Sequence, residues 1–309
     1  MPKSAMPEHV WMNGKLIPCE QATIHVFTPC ARYGTNAFEG LRAYWNEEKN
    51  ELYAFRIREH YERLFESMKI MGLSIDYSLA DCENFLMETI RANKFREDLH
   101  IRHTVYVDGY GGYAAQEPVG MFILPRPRGR AYNLEKGISC SISSWIRISD
   151  NSVPPRAKVG SNYQNSRLAT IEAKKNGYDA PIILTANGKV SESGGACFFM
   201  VRKGTVLTPS ITSSILESVT RSTIIDLCKN ELNLPVEERE IDRTEVYIAQ
   251  EAFLCGSGAE VVPITSVDKI AVGDGKVGSI TQKIVQIYFD VVRGNSPKYH
   301  EWLTPTYGK

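Results

Sequence analysis

At 309 residues, 43 % hydrophobic and 23 % charged, the chain has the composition of a soluble globular protein of one large or two medium domains. Lys plus Arg and Asp plus Glu both total 36, so the zero net charge gives no reason to expect nucleic acid or an anionic membrane as partner. No apolar run approaches a bilayer span, and seven cysteines without a CxxC pair predict reduced thiols in the cytoplasm, not disulfides or a zinc site.

The N-terminal MPKSAMPEHVWMNGK lacks the apolar core of a signal peptide. His9 to Ile17 reads as a hairpin turning at Asn13-Gly14, and Thr23 to Phe27 as a short β-rich run. In RYGTNAFEGLRAYW, residues 32 to 45, glycines at 34 and 40 suggest close backbone approach and the end alternates as a strand does. Tyr61, Leu64, Phe65, Met68 and Met71 stand at helical spacing over 58 to 71, and Arg63 falls beside that stripe, where a snorkelling arginine is the plain expectation. A second helix is predicted over Leu79 to Asn93. The strand from His100 to Val107 puts His100, Arg102 and Thr104 on one face, which suggests that this face lines a cleft. After the strand Val119 to Leu124, PRPRGRAYN from Pro125 to Asn133 reads as an interdomain linker.

The second half opens with a strand at 139 to 148 and then PPRAKVGSNY, residues 154 to 163. Two prolines restrict the chain before Lys158 and Gly160 permits an unusual turn after it, so the lysine is held on a short, fixed loop. Covalent lysine chemistry needs an amine presented in this way, partly withdrawn from water. Next come a helix from Arg167 to Lys175 ending at Asn176-Gly177, a buried strand Ala180 to Thr185, and the polar segment VSESGGACFFMV. Cys197 to Val201 and Thr205 to Leu207 form a hairpin, and a hydroxyl-rich loop becomes a helix near Val219-Thr220, a start suited to an anion. Asp242 to Glu245 begins a short helix, Glu251 to Cys255 is a strand entering the turn Gly256-Ser257-Gly258, and the last helix covers Ser279 to Arg293.

In order, RYGTNAFEGLRAY, REHYERL, the Arg102 strand, KVGSNY, VSESGG, ILESVTR and LCGSGAE resemble the motif series of the class IV aminotransferases, the fold-type IV pyridoxal phosphate enzymes. FEGLR makes the resemblance strongest to the branched-chain amino acid type, and it spans roughly Trp11 to Phe289. It implies an α/β fold of the α+β kind: a small N-terminal α/β domain at 1–125, a linker at 126–136, and a larger β-barrel-like domain with helices at 137–309. The activity implied is ping-pong transamination between an L-branched-chain amino acid and 2-oxoglutarate, with pyridoxal 5′-phosphate as cofactor and no metal. Transamination of D-amino acids, amines or specialised amino acids, and aminodeoxychorismate lyase chemistry, are the alternatives within the fold. FEGLR with Arg102 argues against them.

Under this resemblance Lys158 would bind the cofactor aldehyde and move the substrate proton, Glu192 would face the pyridine nitrogen, and Tyr163 the phenolic oxygen. Arg63 and the helix start at Val219 and Thr220 would take the phosphate, with Leu216, Ser218 and Ser257 completing the cofactor's surroundings. Tyr33, Phe38, Gly40, His100, Arg102 and Tyr132 would line the substrate side, with Ser257 and Gly258 offering amides to the α-carboxylate and Arg102 serving the distal carboxylate. The neighbouring subunit would complete the pocket, which implies at least a homodimer. The chain departs from the family's usual residues at His100 (tyrosine), His103 (proline), Ser218 (glycine), Ser257 (threonine) and in GAC, 195 to 197, where GEN is common.

Overall fold

In the computed structural model, which describes residues 6–130 and 132–308, Asn13-Gly14 closes a hairpin between β1 (His9–Met12) and β2 (Lys15–Pro18). Both turn residues have positive φ, 47° and 95°, as a primed hairpin turn requires. Residues 23–27 form no strand; the first element after the hairpin and a short 3₁₀ turn is helix α1 (Pro29–Tyr33), capped by the Thr28 hydroxyl. Then follow β3 (Asn36–Asn46), β4 (Glu51–Phe55), α2 (Ile57–Met71), α3 (Leu79–Asn93), β5 (Leu99–Val107) and β6 (Val119–Pro127). A capping box between Ser78 and Asp81 fixes the start of α3. Strand β6 runs through Pro127, so the first residues of the 126–136 stretch are sheet rather than linker; Ala131 in that stretch lies outside the described residues.

The later elements are β7 (Ile138–Ile146), α4 (Tyr163–Lys175), β8 (Ala180–Leu184), β9 (Cys197–Arg202), β10 (Thr205–Thr208), α5 (Val219–Asn230), β11 (Val236–Glu238), α6 (Arg243–Tyr247), β12 (Glu251–Gly256), β13 (Glu260–Val267), β14 (Ile270–Ala271), α7 (Ser279–Val292) and β15 (Leu303–Pro305). Strand β13 escapes sequence reading because Pro263 interrupts its apolar run. The proline is tolerated because β7 pairs with β13 only from Ile264 onward, so Pro263 precedes that ladder.

The described residues divide into two compact units, 6–129 with 157–161 and 290–308, and 130 and 132–156 with 162–289. The five-residue segment around Lys158 and the last strand thus belong with the N-terminal residues. In the first unit a seven-stranded sheet runs β15-β4-β3-β5-β6-β1-β2 with every neighbour antiparallel. Its core joins Leu41, Ile101, Val105 and Ile123 of the sheet to Tyr61, Leu64, Leu86 and Ile90 of α2 and α3, with Trp11 stacked on Phe85. The second unit carries a mixed sheet, β11-β10-β9-β12-β13-β7-β8 with β14 beside β13, in which β10/β11, β13/β7 and β7/β8 are parallel. Ile182, Val190, Phe198, Met200, Leu254 and Val262 fill its core. Among the described residues no helix is long and apolar enough to cross a membrane.

Candidate active site

In the first unit the site is built on the β3–β5 ladder. Its register sets Phe38 opposite Thr104, Gly40 opposite Arg102 and Arg42 opposite His100. Alternation along a strand therefore puts Phe38, Gly40, His100 and Arg102, all named from sequence, on one face. The Arg102 guanidinium carbon lies 3.5 Å from the centre of the Phe38 ring, and the Lys158 amine 5.1 Å from the same centre. Gly40 leaves the surface open beside His100: a methyl group there would sit 3.4 Å from the imidazole Nε2. Burial first, then the positive charges of Arg128, Arg126, Arg42 and Lys158, push the His100 imidazole down to about 3, so it is neutral at physiological pH.

Lys158 is positioned by backbone. Along β3, strand β4 pairs only with Ala43–Asn46, and the edge of β3 before that point is taken by the lysine segment. Phe38 N–H donates to the Lys158 carbonyl at 2.9 Å, Ala37 bridges Val159, and the Lys158 N–H donates to Ser67 Oγ at 3.0 Å. Gly160 is needed for close approach rather than for an unusual φ: a Cβ there would stand 2.7 Å from the Asn36 amide nitrogen. Tyr33 is half exposed at the end of α1, its hydroxyl accepting from Arg32 at 2.6 Å.

On the opposite face of the same ladder, Glu39 is fully buried. Arg63 Nε donates to its Oε1 at 2.7 Å and Nη2 to its Oε2 at 2.8 Å, while His60 Nδ1 lies 2.6 Å from Oε2. Arg63 is therefore no snorkelling residue; it is 7 % exposed. Burial pushes the Glu39 carboxyl up, but the forked Arg63 contact outweighs it and holds the group well below the usual carboxylate range. Burial also lowers His60, whose Nδ1 faces the Glu39 carboxylate.

In the second unit Glu192, 5 % exposed, lies between β8 and β9 and bridges Cys197. Its Oε1 meets Arg147 Nη2 at 2.5 Å and its Oε2 accepts the Leu216 N–H at 3.2 Å. Arg147 is itself placed by the Ser214 carbonyl, Asn165 Oδ1 and Ser166 Oγ, each at 3.3 Å. The loop after Leu216 enters α5, where the Ser218 hydroxyl caps Arg221 N–H and Thr220 is buried within the first turn. Geometry leaves the leading amides of such a helix without intrahelical acceptors. Tyr163 opens α4, half exposed. Ser257 and Gly258 follow β12 in a turn closed by Ala259 N–H on the Gly256 carbonyl. Gly256 passes the Gly195 carbonyl where a Cβ would lie at 3.2 Å, so GAC and GSG meet backbone to backbone. Tyr132 stands exposed on the connecting segment.

Glu39, His60, Ser67 and Arg147 are the functional candidates that sequence reasoning missed. His60, Arg63 and Ser67 recur at i, i+3 and i+7, so polar residues on the inward stripe of α2 were a readable signal. Arg147 follows β7 directly, and its partner lies 45 positions away; no local pattern links them.

Residues 36–267 match the family model for amino-transferase class IV. A probable branched-chain-amino-acid aminotransferase of Aquifex aeolicus (strain VF5) is 39 % identical over the whole of both chains. The pyridoxal phosphate form of a branched-chain amino acid aminotransferase from Thermobaculum terrenum superposes with a TM-score of 0.93 at 40 % identity, covering 98 % of this chain and 100 % of that one. A branched-chain aminotransferase from Thermoproteus uzoniensis, solved with norvaline, also gives 0.93 at 40 % identity, covering 97 % and 100 %.

Proposed function

From the chain's membership of the class IV aminotransferases, we propose that it transfers the amino group of an L-branched-chain amino acid to 2-oxoglutarate, using pyridoxal 5′-phosphate in a ping-pong cycle. The donor set suits that cofactor: a lysine amine, a buried carboxylate for a ring N–H, and an arginine and a helix start for a phosphate. When bound, the cofactor supplies the electron sink that lets a substrate Cα–H bond break.

The protein's part is to place and to shuttle. Lys158 would hold the cofactor at its aldehyde carbon and supply the amine that moves a proton at the substrate Cα. Glu192 holds negative charge at the ring nitrogen, and Arg147 and the Leu216 amide keep its two oxygens in place. Tyr163 would donate to the phenolic oxygen, Arg63, Val219 and Thr220 would hold the phosphate with Leu216, Ser218 and Ser257 nearby, and the Ser257 and Gly258 amides would take the α-carboxylate. Tyr33, Gly40, His100 and Tyr132 border the side-chain pocket.

One observation carries the dual specificity. The Phe38 ring lies within reach of both the Lys158 amine and the Arg102 guanidinium, so one position offers an apolar wall and a cation. Leu, Ile or Val packs on the ring; the distal carboxylate of 2-oxoglutarate pairs with the arginine. We propose further that the chain acts as a homodimer in the cytoplasm. An exposed cluster of Phe27, Tyr33, Tyr110 and Tyr113 on the first unit suits a second copy, and seven free cysteines suit a reducing compartment.

The test is the visible absorption spectrum of the protein saturated with pyridoxal phosphate. A band that bleaches with L-leucine and returns with 2-oxoglutarate is expected, and Lys158→Ala removes the cycle while the far-UV dichroism stays that of the parent. A band indifferent to leucine but responsive to a D-amino acid or an amine overturns the substrate assignment.

A further inference from the structure

A buried carboxylate is retained only where its charge is met. Glu39 meets its charge in one fork: Arg63 Nε on Oε1 at 2.7 Å and Nη2 on Oε2 at 2.8 Å, with His60 Nδ1 at 2.6 Å and the Gly40 N–H at 3.2 Å completing Oε2. A two-point contact between planar groups fixes the plane of the guanidinium as well as its position. The Nε–Nη2 edge is taken up by Glu39, and Nη1 takes no part in that fork. About two turns of one helix participate, because His60, Arg63 and Ser67 lie on the same side of α2 and Ser67 Oγ receives the Lys158 N–H at 3.0 Å. The helix that is keyed to Glu39 therefore also sets the height of the lysine.

We propose that Glu39 is a positioning residue that holds Arg63 as a preset anchor for the cofactor's 5′-phosphate. This rests on the reading of Arg63 as a phosphate ligand. The effect is one of orientation and not of charge, since a carboxylate beside the arginine weakens its pull on an anion. The two views predict opposite signs. Were Glu39 only a buried counter-charge, its removal would leave Arg63 more attractive to phosphate; as a positioning group, its removal lets the guanidinium swing and phosphate binding weakens.

The experiment measures dissociation constants of the cofactor-stripped protein for pyridoxal phosphate and for pyridoxal, which lacks the phosphate, by quenching of protein fluorescence. In Glu39→Gln the affinity for pyridoxal phosphate should fall about tenfold or more, the scale of one charge-assisted contact, while that for pyridoxal changes less than about twofold. Tighter or unchanged pyridoxal phosphate binding overturns the proposal, as does an equal loss for both ligands, which a purely structural role would produce. If Glu39→Gln does not fold, Glu39→Asp keeps the buried charge but withdraws it by one methylene, and the same ratio decides. Arg63→Lys is the control for the underlying reading: if it leaves the ratio of the two affinities at the parental value, Arg63 is no phosphate ligand and that reading fails on its own.

Discussion

Under the proposed function, Arg102 beside Phe38 would let one position serve two substrates. With the guanidinium carbon 3.5 Å from the ring centre, the ring supports the cation when no carboxylate is present. Arg102→Ala should therefore raise KM for 2-oxoglutarate by about tenfold or more, the worth of a charge-assisted pair, while 2-oxoisocaproate is affected far less. Equal losses for the two acceptors, in steady-state kinetics, would remove the arginine from its role. Arg147 makes a different prediction. It is the charge partner of a carboxylate that is 5 % exposed, so Arg147→Met strands Glu192 and should destabilise the fold by about 3–5 kcal/mol, whereas Glu192→Gln in the same background recovers part of that loss. Urea denaturation of the four proteins closes the cycle.

At the scale of elements, β5 shows what alternation reveals and what it hides. The polar face of His100, Arg102 and Thr104 was legible from the sequence, and it is the face that carries the candidate pocket. His103 on the other face is buried against Tyr61, whose hydroxyl lies 3.1 Å from Nδ1, and burial pushes the imidazole down to about 3. A histidine that stays neutral when folded but charges near pH 6.5 when unfolded contributes in full above pH 6.5 and progressively less below it. Stability should thus decline as pH falls from 6.5 toward 3, by about 1.4 kcal/mol per pH unit for each such histidine. His103→Leu should flatten that decline by one histidine's share, measured as urea midpoints at pH 6.5, 5.5 and 4.5. An unchanged slope would mean that His103 protonates freely in the folded state. Helix α3 and the Asn13-Gly14 hairpin were readable because their signals are local: an apolar stripe at helical spacing, and a turn favoured by such residues. Strand β15 and the Thr23–Phe27 stretch were not, since pairing partners decide strands and propensity alone does not.

For the whole molecule, the motif order pointed to Lys158, Tyr163 and Glu192 as candidates for the cofactor side, but Glu39 stayed hidden between two residues that attracted attention for other reasons. Its importance comes from a helix 24 positions later, and long-range pairing leaves no trace in a single sequence. Oligomeric state belongs to this scale too. Light scattering should give the mass of two chains, and Tyr110→Asp, which puts a charge into the exposed aromatic cluster, should shift the protein toward one; a parent that runs as a single chain sinks the dimer.

Strand β15 has a consequence for how the protein is made. Leu303 to Pro305 pair with Phe55 to Tyr53, and Thr306 and Tyr307 donate to the Glu51 carboxylate, so the first sheet gains its outer edge from residues translated about 250 positions after their partner, a long loop to close. While the ribosome is still producing the intervening chain, β4 offers an uncovered row of amides and carbonyls to any passing strand. The N-terminal unit therefore cannot mature in the order of its synthesis. Its outer edge forms only after residues about 250 positions further on have been made, and until then β4 is an open edge prone to wrong pairing.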